Sequence, residues 1–285
     1  MKYTTIIKPE ILFSHLNDPE WVIVDCRFDL MDPDWGFTEY QELHIPGAVY
    51  AHLDKDLAGS KTALTGRHPL PDTEIFIKKL SSWGINKAKQ VIVYDTVGGA
   101  FAARLWWMLR TFGHAKVAVL DGGLPKWINQ KYPVIGGVEN NEPEIFSGNL
   151  DTAQFVSTED VFQKINSENF LLIDARNQER FAGINEPIDP VAGHIPGAVN
   201  RFHTLNLNQD LTMKSGQDLK QEFRALMSTF PADKTIVYCG SGVTSCHHLL
   251  AMEYAGIKGA RLYLGSWSEW IRDPARPIIK FKGPE

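Results

Sequence analysis

Six residues recur without change 150 positions apart, and this repeat constrains the chain more than any other feature. His44-Ile45-Pro46-Gly47-Ala48-Val49 returns as His194-Ile195-Pro196-Gly197-Ala198-Val199. Each copy follows an apolar run that ends in Asp and then Arg: Val22-Ile23-Val24-Asp25-Cys26-Arg27 and Leu172-Ile173-Asp174-Ala175-Arg176. Further on, Val91-Ile92-Val93-Tyr94 matches Thr235-Ile236-Val237-Tyr238, and Trp127 matches Trp270, so the offset drifts only to 143. A period this long means two copies of one domain, since solenoid units repeat every ~20–50 residues. The 285 residues suit two domains of about 140 each.

The order of elements within each copy is legible. Residues 22–25 form a short β-branched run bounded by turn residues, and residues 91–94 are almost all apolar. Runs of this kind fit strands buried on both faces of a parallel sheet. Helical patterns cover 100–112 and 245–254, with Gly113 and Gly256 placed as C-terminal caps. Third apolar runs lie at 115–120 and 260–264. Alternating strand and helix predicts an α/β class, with each domain a mainly parallel sheet flanked by helices. Residues 133–156 are rich in Gly, Asn and Pro without a clean period. They predict a linker, and the natural cut divides the chain into domains 1–145 and 146–285.

Composition removes several classes of function. The formal charge of -5 is spread without long runs of one sign, so nothing announces a nucleic-acid or anionic-membrane partner. No stretch reaches the ~20 apolar residues of a membrane span. The first apolar run breaks at Lys8 and Pro9, which does not fit a secretory signal, and the expected location is cytoplasmic. Cys26, Cys239 and Cys246 make an odd count, against a disulfide framework. Their spacing is not that of a zinc site, and neither a metal nor an organic cofactor is expected.

Chemistry concentrates at Cys239. The run Thr235–Tyr238 leads straight into it, then Gly240-Ser241-Gly242-Val243-Thr244 leads into a helical pattern. Sites in open α/β sheets lie at the carboxyl ends of strands, where Cys239 falls. The glycines let backbone N–H groups turn inward at a helix N-terminus, a nest for an anion. A thiol in that field is expected to have a lowered pKa and to act as a nucleophile. A buried structural cysteine is the bland alternative, and Cys246 and Cys26 are read in that way. In the first copy Asp95 follows Tyr94, with Thr96-Val97-Gly98-Gly99 after it. The N-terminal domain therefore lacks the thiol and is expected to be catalytically inactive.

At these residues the chain resembles the tandem-domain rhodanese family of thiosulfate and 3-mercaptopyruvate sulfurtransferases. The markers are both HIPGAV segments, the paired Asp-x-Arg strands, WWMLRTFGH and LDGGLPKW in the first half, and YCGSGVTSC and GSWSEW in the second. The resemblance implies a sulfurtransferase. Cys239 would take sulfane sulfur from a small anionic donor as a persulfide and pass it to cyanide, a thiol or a thioredoxin-like acceptor. It implies substrate binding by the loop residues Gly240, Gly242, Val243 and Thr244, and a monomer. It also implies that Ser241 works with Asp56 and His68, and that Arg180 meets the donor anion. A guanidinium holds a carboxylate or thiosulfonate by paired N–H bonds. The alternative for Arg180 is a surface ion pair with Glu179 or Glu186. The family's second arginine would fall where this chain has Ile188, a departure that argues against mercaptopyruvate, while the CGSGVT loop argues for it.

Arg27, Arg176, His44 and His194 occur in both copies and are read as structural. Trp267 and Trp270 are read as core residues rather than cleft lining. Two other functions remain to be weighed. Cell-cycle phosphatases share this fold, but their loop ends in an arginine at the sixth position after the cysteine, where this chain has Ser245. A persulfide carrier delivering sulfur to a protein partner would need the same loop and differs only in turnover.

Overall fold

The computed structural model describes residues 2–165 and 170–281. The chain forms two compact units. One comprises Met1–Gly59, Leu70–Asp151 and Leu207–Met213, and the other Ser60–Pro69, Thr152–Asn206 and Lys214–Glu285.

The first unit contains strands β1 (Ile6–Ile7), β2 (Trp21–Asp25), β3 (Ala48–Tyr50), β4 (Gln90–Tyr94) and β5 (Val117–Leu120). They form one parallel sheet in the order β1-β5-β4-β2-β3. The second contains β6 (Phe155–Val156), β7 (Leu171–Asp174), β8 (Ala198–Asn200), β9 (Thr235–Tyr238) and β10 (Arg261–Tyr263). Its order, β6-β10-β9-β7-β8, repeats the first. Register repeats as well: Asp25 lies opposite Tyr94, and Asp174 opposite Tyr238. Every residue of β4 and β9 is buried, as strands covered on both faces require. This is the expected α/β class.

The structure differs from the sequence reading at its edges. Strands β1 and β6 have two residues each, too short to carry a periodic signal. Phe155–Val156 falls in the stretch read as linker, yet it pairs with Leu262 and Tyr263. The helical pattern 100–112 shortens to Ala102–Thr111, whereas Ser245–Tyr254 holds at both ends.

The repeated motifs brace the strand ends. Arg27 lies flat on Asp25 and gives a further N–H to Leu43 O, so β2 is tied to the segment entering the first HIPGAV copy. Arg176 does the same with Asp174 and Gly193 O. The histidines are equally structural: Nδ1 of His44 meets Tyr40 O, and that of His194 meets Phe181 O. Gly47 and Gly197 turn the chain into β3 and β8 at φ of 75° and 79°, where a side chain would be strained.

Candidate active site

Strand β9 lies inside its sheet, between β10 and β7, and Cys239 is the first residue beyond it. Residues 239–244 then curl back to the start of helix Ser245–Tyr254. Gly242 makes the curl possible with φ of 76°, and a Cβ there would lie 2.4 Å from Leu264 O. The segment 265–270 fixes the loop from behind. Trp267 N–H donates to Cys239 O at 3.0 Å, and Ser268 N–H to Gly240 O at 2.8 Å. Cys239 N–H itself donates to Ser266 Oγ. With both carbonyls drawn to that segment, the following amides are free to face the sulfur.

The thiol responds to this field. Burial acts first and would raise the Cys239 pKa. Hydrogen bonds from the Ser245 and Thr244 hydroxyls and from the N–H groups of Ser241 and Ser245 outweigh it, and the thiol lies below its ordinary value. Ser245 Oγ stands 3.4 Å from Cys239 Sγ. The two hydroxyl donors were not anticipated from the sequence. The other cysteines behave differently. Burial, then the charge of Asp25, raises Cys26 well above the usual thiol range. Cys246 is fully buried, with its sulfur on Gly242 O.

The first unit holds an internal control. Asp95, at the position equivalent to Cys239, is fully buried. Its Oδ1 accepts from Val97 and Gly99 N–H, and its Oδ2 from Phe101 and Ala102 N–H, all between 2.8 and 3.0 Å. The loop after the central strand is thus an amide nest, filled in the first copy by the carboxyl oxygens of Asp95.

His68 and Ser241 meet directly, Nδ1 to Oγ at 2.7 Å. The stretch carrying His68 is docked on the loop's support: Gly66 N–H donates to Glu269, Arg67 N–H to Ser268 Oγ, and Arg272 to Thr65 O. Asp56 belongs to the other unit. There its carboxylate accepts from His52 N–H and pairs with Lys79. It lines a groove of about 430 Å³ with Tyr50, His52 and Trp83, which contains no thiol.

Arg180 sits in the short helix Gln178–Ala182 and is mostly buried. Its partners are Glu186 and Asp189, not Glu179. Asp189 also binds Arg67, a residue the sequence reading passed over. Both guanidinium groups crowd Gly240: a Cβ there would lie 2.7 Å from Arg67 Nη2 and 3.3 Å from Arg180 Nη2. Burial, and then the charge of Arg180, bring Arg67 down to about 10, still cationic at neutral pH. Ile188 contributes only its N–H, to Glu186. Trp267 and Trp270 are fully buried core residues, with indole N–H groups on Val191 O and Pro277 O.

Among the described residues no group of three or more His, Cys, Asp or Glu side chains could hold a metal ion. Among them, too, no helix is long and apolar enough to cross a membrane.

Comparison with known proteins places this geometry. The family model for the rhodanese-like domain matches twice, over residues 8–130 and 157–273. A Pseudomonas aeruginosa protein named a probable 3-mercaptopyruvate sulfurtransferase is 43% identical over 280 residues, covering 98% of this chain and 99% of that one. The thiosulfate sulfurtransferase of Cricetulus griseus is 35% identical over 281 residues, 92% of this chain and 93% of its own. Among solved structures, SseA from Escherichia coli, described with the rhodanese fold of 3-mercaptopyruvate sulfotransferases, superposes with a TM-score of 0.81 at 34% identity. That match covers 94% of this chain and all of SseA.

Proposed function

The chain belongs to the rhodanese-like family and is a sulfurtransferase, and we propose that it moves sulfur from an anionic donor to a thiophilic acceptor through a persulfide on Cys239. The relatives named above supply the donor classes, 3-mercaptopyruvate and thiosulfate. Cys239 thiolate attacks the donor sulfur, and a sulfur–sulfur bond forms as the bond to the leaving group breaks. With thiosulfate the electron pair leaves on sulfite. With mercaptopyruvate it leaves on the enolate of pyruvate, which takes up one proton. An acceptor such as cyanide, a thiol or a thioredoxin-like protein then attacks the outer sulfur, and Cys239 returns to thiolate. The scheme calls on no metal or organic cofactor. We place it in the cytoplasm, where free thiols such as these three stay reduced.

The observation that carries this reading is the set of donors around Cys239 Sγ, which lowers its pKa despite burial. The same donors would stabilise the persulfide anion. Arg180, beside Gly240, would hold the donor's negative group. The contact of His68 with Ser241 favours 3-mercaptopyruvate over thiosulfate. An enolate is a strong base that needs a proton as it departs, whereas sulfite does not.

Mass spectrometry of the chain after donor exposure tests the proposal. One added sulfur, about 32 Da, is expected on Cys239 alone, as a single thiolate nucleophile requires. Sulfur on Cys246, or undiminished transfer by Cys239→Ala, would overturn it. Sustained thiocyanate production from cyanide distinguishes an enzyme from a carrier that loads once.

A further inference from the structure

Residues 265–270 of the second unit touch both the thiol loop and the stretch that carries His68. We propose that Glu269 is the positioning residue of the His68–Ser241 pair, holding the arm of residues 60–69 so that the imidazole meets the hydroxyl. The inference rests on the proposed role of that pair in protonating the departing enolate, and it names what keeps the pair assembled.

Four observations carry it. The short helix Ser266–Trp270 works in two directions. Its Trp267 and Ser268 amides hold Cys239 O and Gly240 O, while the side chains of Ser268 and Glu269 accept from Arg67 N–H and Gly66 N–H at 3.0 and 3.2 Å. Both oxygens of Glu269 are engaged, Oε2 with Gly66 and Oε1 with the Thr158 hydroxyl at 2.5 Å. Thr158 in turn meets the buried Tyr263 hydroxyl at 2.8 Å, so the carboxylate is anchored in the body of the unit. Glycines clear the way on both sides: a Cβ at Gly265 would lie 2.4 Å from the Glu269 carboxyl carbon, and one at Gly66 would lie 2.7 Å from Gly265 O. Finally, His68 stands two residues beyond Gly66, with Nδ1 2.7 Å from Ser241 Oγ.

Residues 60–69 form neither helix nor strand, so the arm takes its place from side chains outside it. Arg272 holds Thr65 O at an exposed position, where a charged contact contributes little. The Glu269 contact is partly buried and joins a carboxylate to an N–H, the stronger kind of hydrogen bond. Without it the arm can lift at Gly66 and draw His68 away from Ser241. The donors that act on Cys239 come from residues 241–245, and Ser268 still holds Arg67 N–H. Glu269 therefore governs the step that needs a proton and spares the step that needs only the thiolate.

The test is the ratio of kcat on 3-mercaptopyruvate to kcat on thiosulfate, which is internal to each protein, so the fraction folded cancels. Glu269→Ala is expected to lower that ratio by about tenfold to a hundredfold, the cost of a small misplacement of a catalytic group. Gly66→Ala, which pushes the same point of the arm off Gly265 O, should lower it likewise. Glu269→Gln should restore most of the loss. Its carbonyl oxygen can take Gly66 N–H while the Thr158 hydroxyl turns to accept from the amide and to donate to Tyr263. In a His68→Ala background, Glu269→Ala should change the ratio by less than about twofold, because residues that act through one another are not additive. Equal losses on both donors, or a full further loss on top of His68→Ala, would show that Glu269 only supports the fold and would overturn the proposal. Failure of the underlying reading looks different: His68→Ala alone would then leave the ratio unchanged.

Discussion

Nδ1 of His68 and Oγ of Ser241 stand 2.7 Å apart although 173 positions separate them in the chain. Both side chains are buried. An imidazole on a hydroxyl within the thiol's own loop would, under the proposed reading, carry a proton to the leaving group. Ser241→Ala and His68→Ala are each expected to lower kcat with 3-mercaptopyruvate by about 10²–10⁴-fold, the range of general acid–base catalysis. Thiosulfate turnover should change far less, because sulfite departs without a proton. Steady-state rates on the two donors, measured side by side, check this. Equal losses on both would assign the pair a structural role.

The lowered pKa of Cys239 has a defined sign in pH experiments. Its hydrogen-bond donors favour the thiolate, so alkylation by neutral iodoacetamide should reach half its maximal rate below the pH of an ordinary thiol. Ser245→Ala removes one donor and should move that midpoint upward. Linkage gives a second measurement. A folded pKa below the unfolded one adds stability above the unfolded value and loses it as pH falls through the folded value. The melting-temperature difference between the native chain and Cys239→Ser should therefore grow in favour of the native chain as pH rises.

Two glycines of one loop should fail in different ways. At Gly240 an added methyl meets the far ends of two flexible side chains, Arg67 and Arg180. Gly240→Ala is expected to change stability by less than about 1 kcal/mol while raising KM for the anionic donor, as displaced guanidinium groups bind it poorly. At Gly242 the methyl meets the fixed carbonyl of Leu264 at 2.4 Å, on a backbone at φ of 76°. Gly242→Ala should destabilise the fold by about 1–3 kcal/mol or more. Thermal melting alongside donor kinetics separates the two.

Arg176 is held in a place where its loss would leave charge stranded. It pairs with buried Asp174, bonds Glu186 and Gly193 O, and lies 4.8 Å from the ring of Trp267. Arg176→Ala is expected to cost about 3–5 kcal/mol, lowering the melting temperature by roughly 6–20 °C. Calorimetry of the variant checks this, and a change under 1–2 °C would contradict the assigned brace.

How far the sequence reached is clearest at particular residues. The Asp-x-Arg strands, the HIPGAV turns and the Cys239 loop were legible because each is contiguous: the residues that touch are neighbours in the chain. Resemblance pointed to His68, and the fold brings it to Ser241. Arg67 could not be read in that way. Its meaning comes from Ser268, 201 positions away, and from Asp189, which together aim it at Gly240. A guanidinium brought beside the loop from another segment leaves no local trace in the sequence. The two-residue edge strands escaped for a plainer reason, since they have no period to detect.

The Asp95 carboxylate, clasped by four amides, gives the duplicated fold a permanent likeness of its own working state. One copy fills with a fixed carboxylate the cradle that the other keeps for its reactive sulfur. The residue placed at the end of the central strand thus decides whether one and the same turn of backbone is a structural knot or a reactive centre.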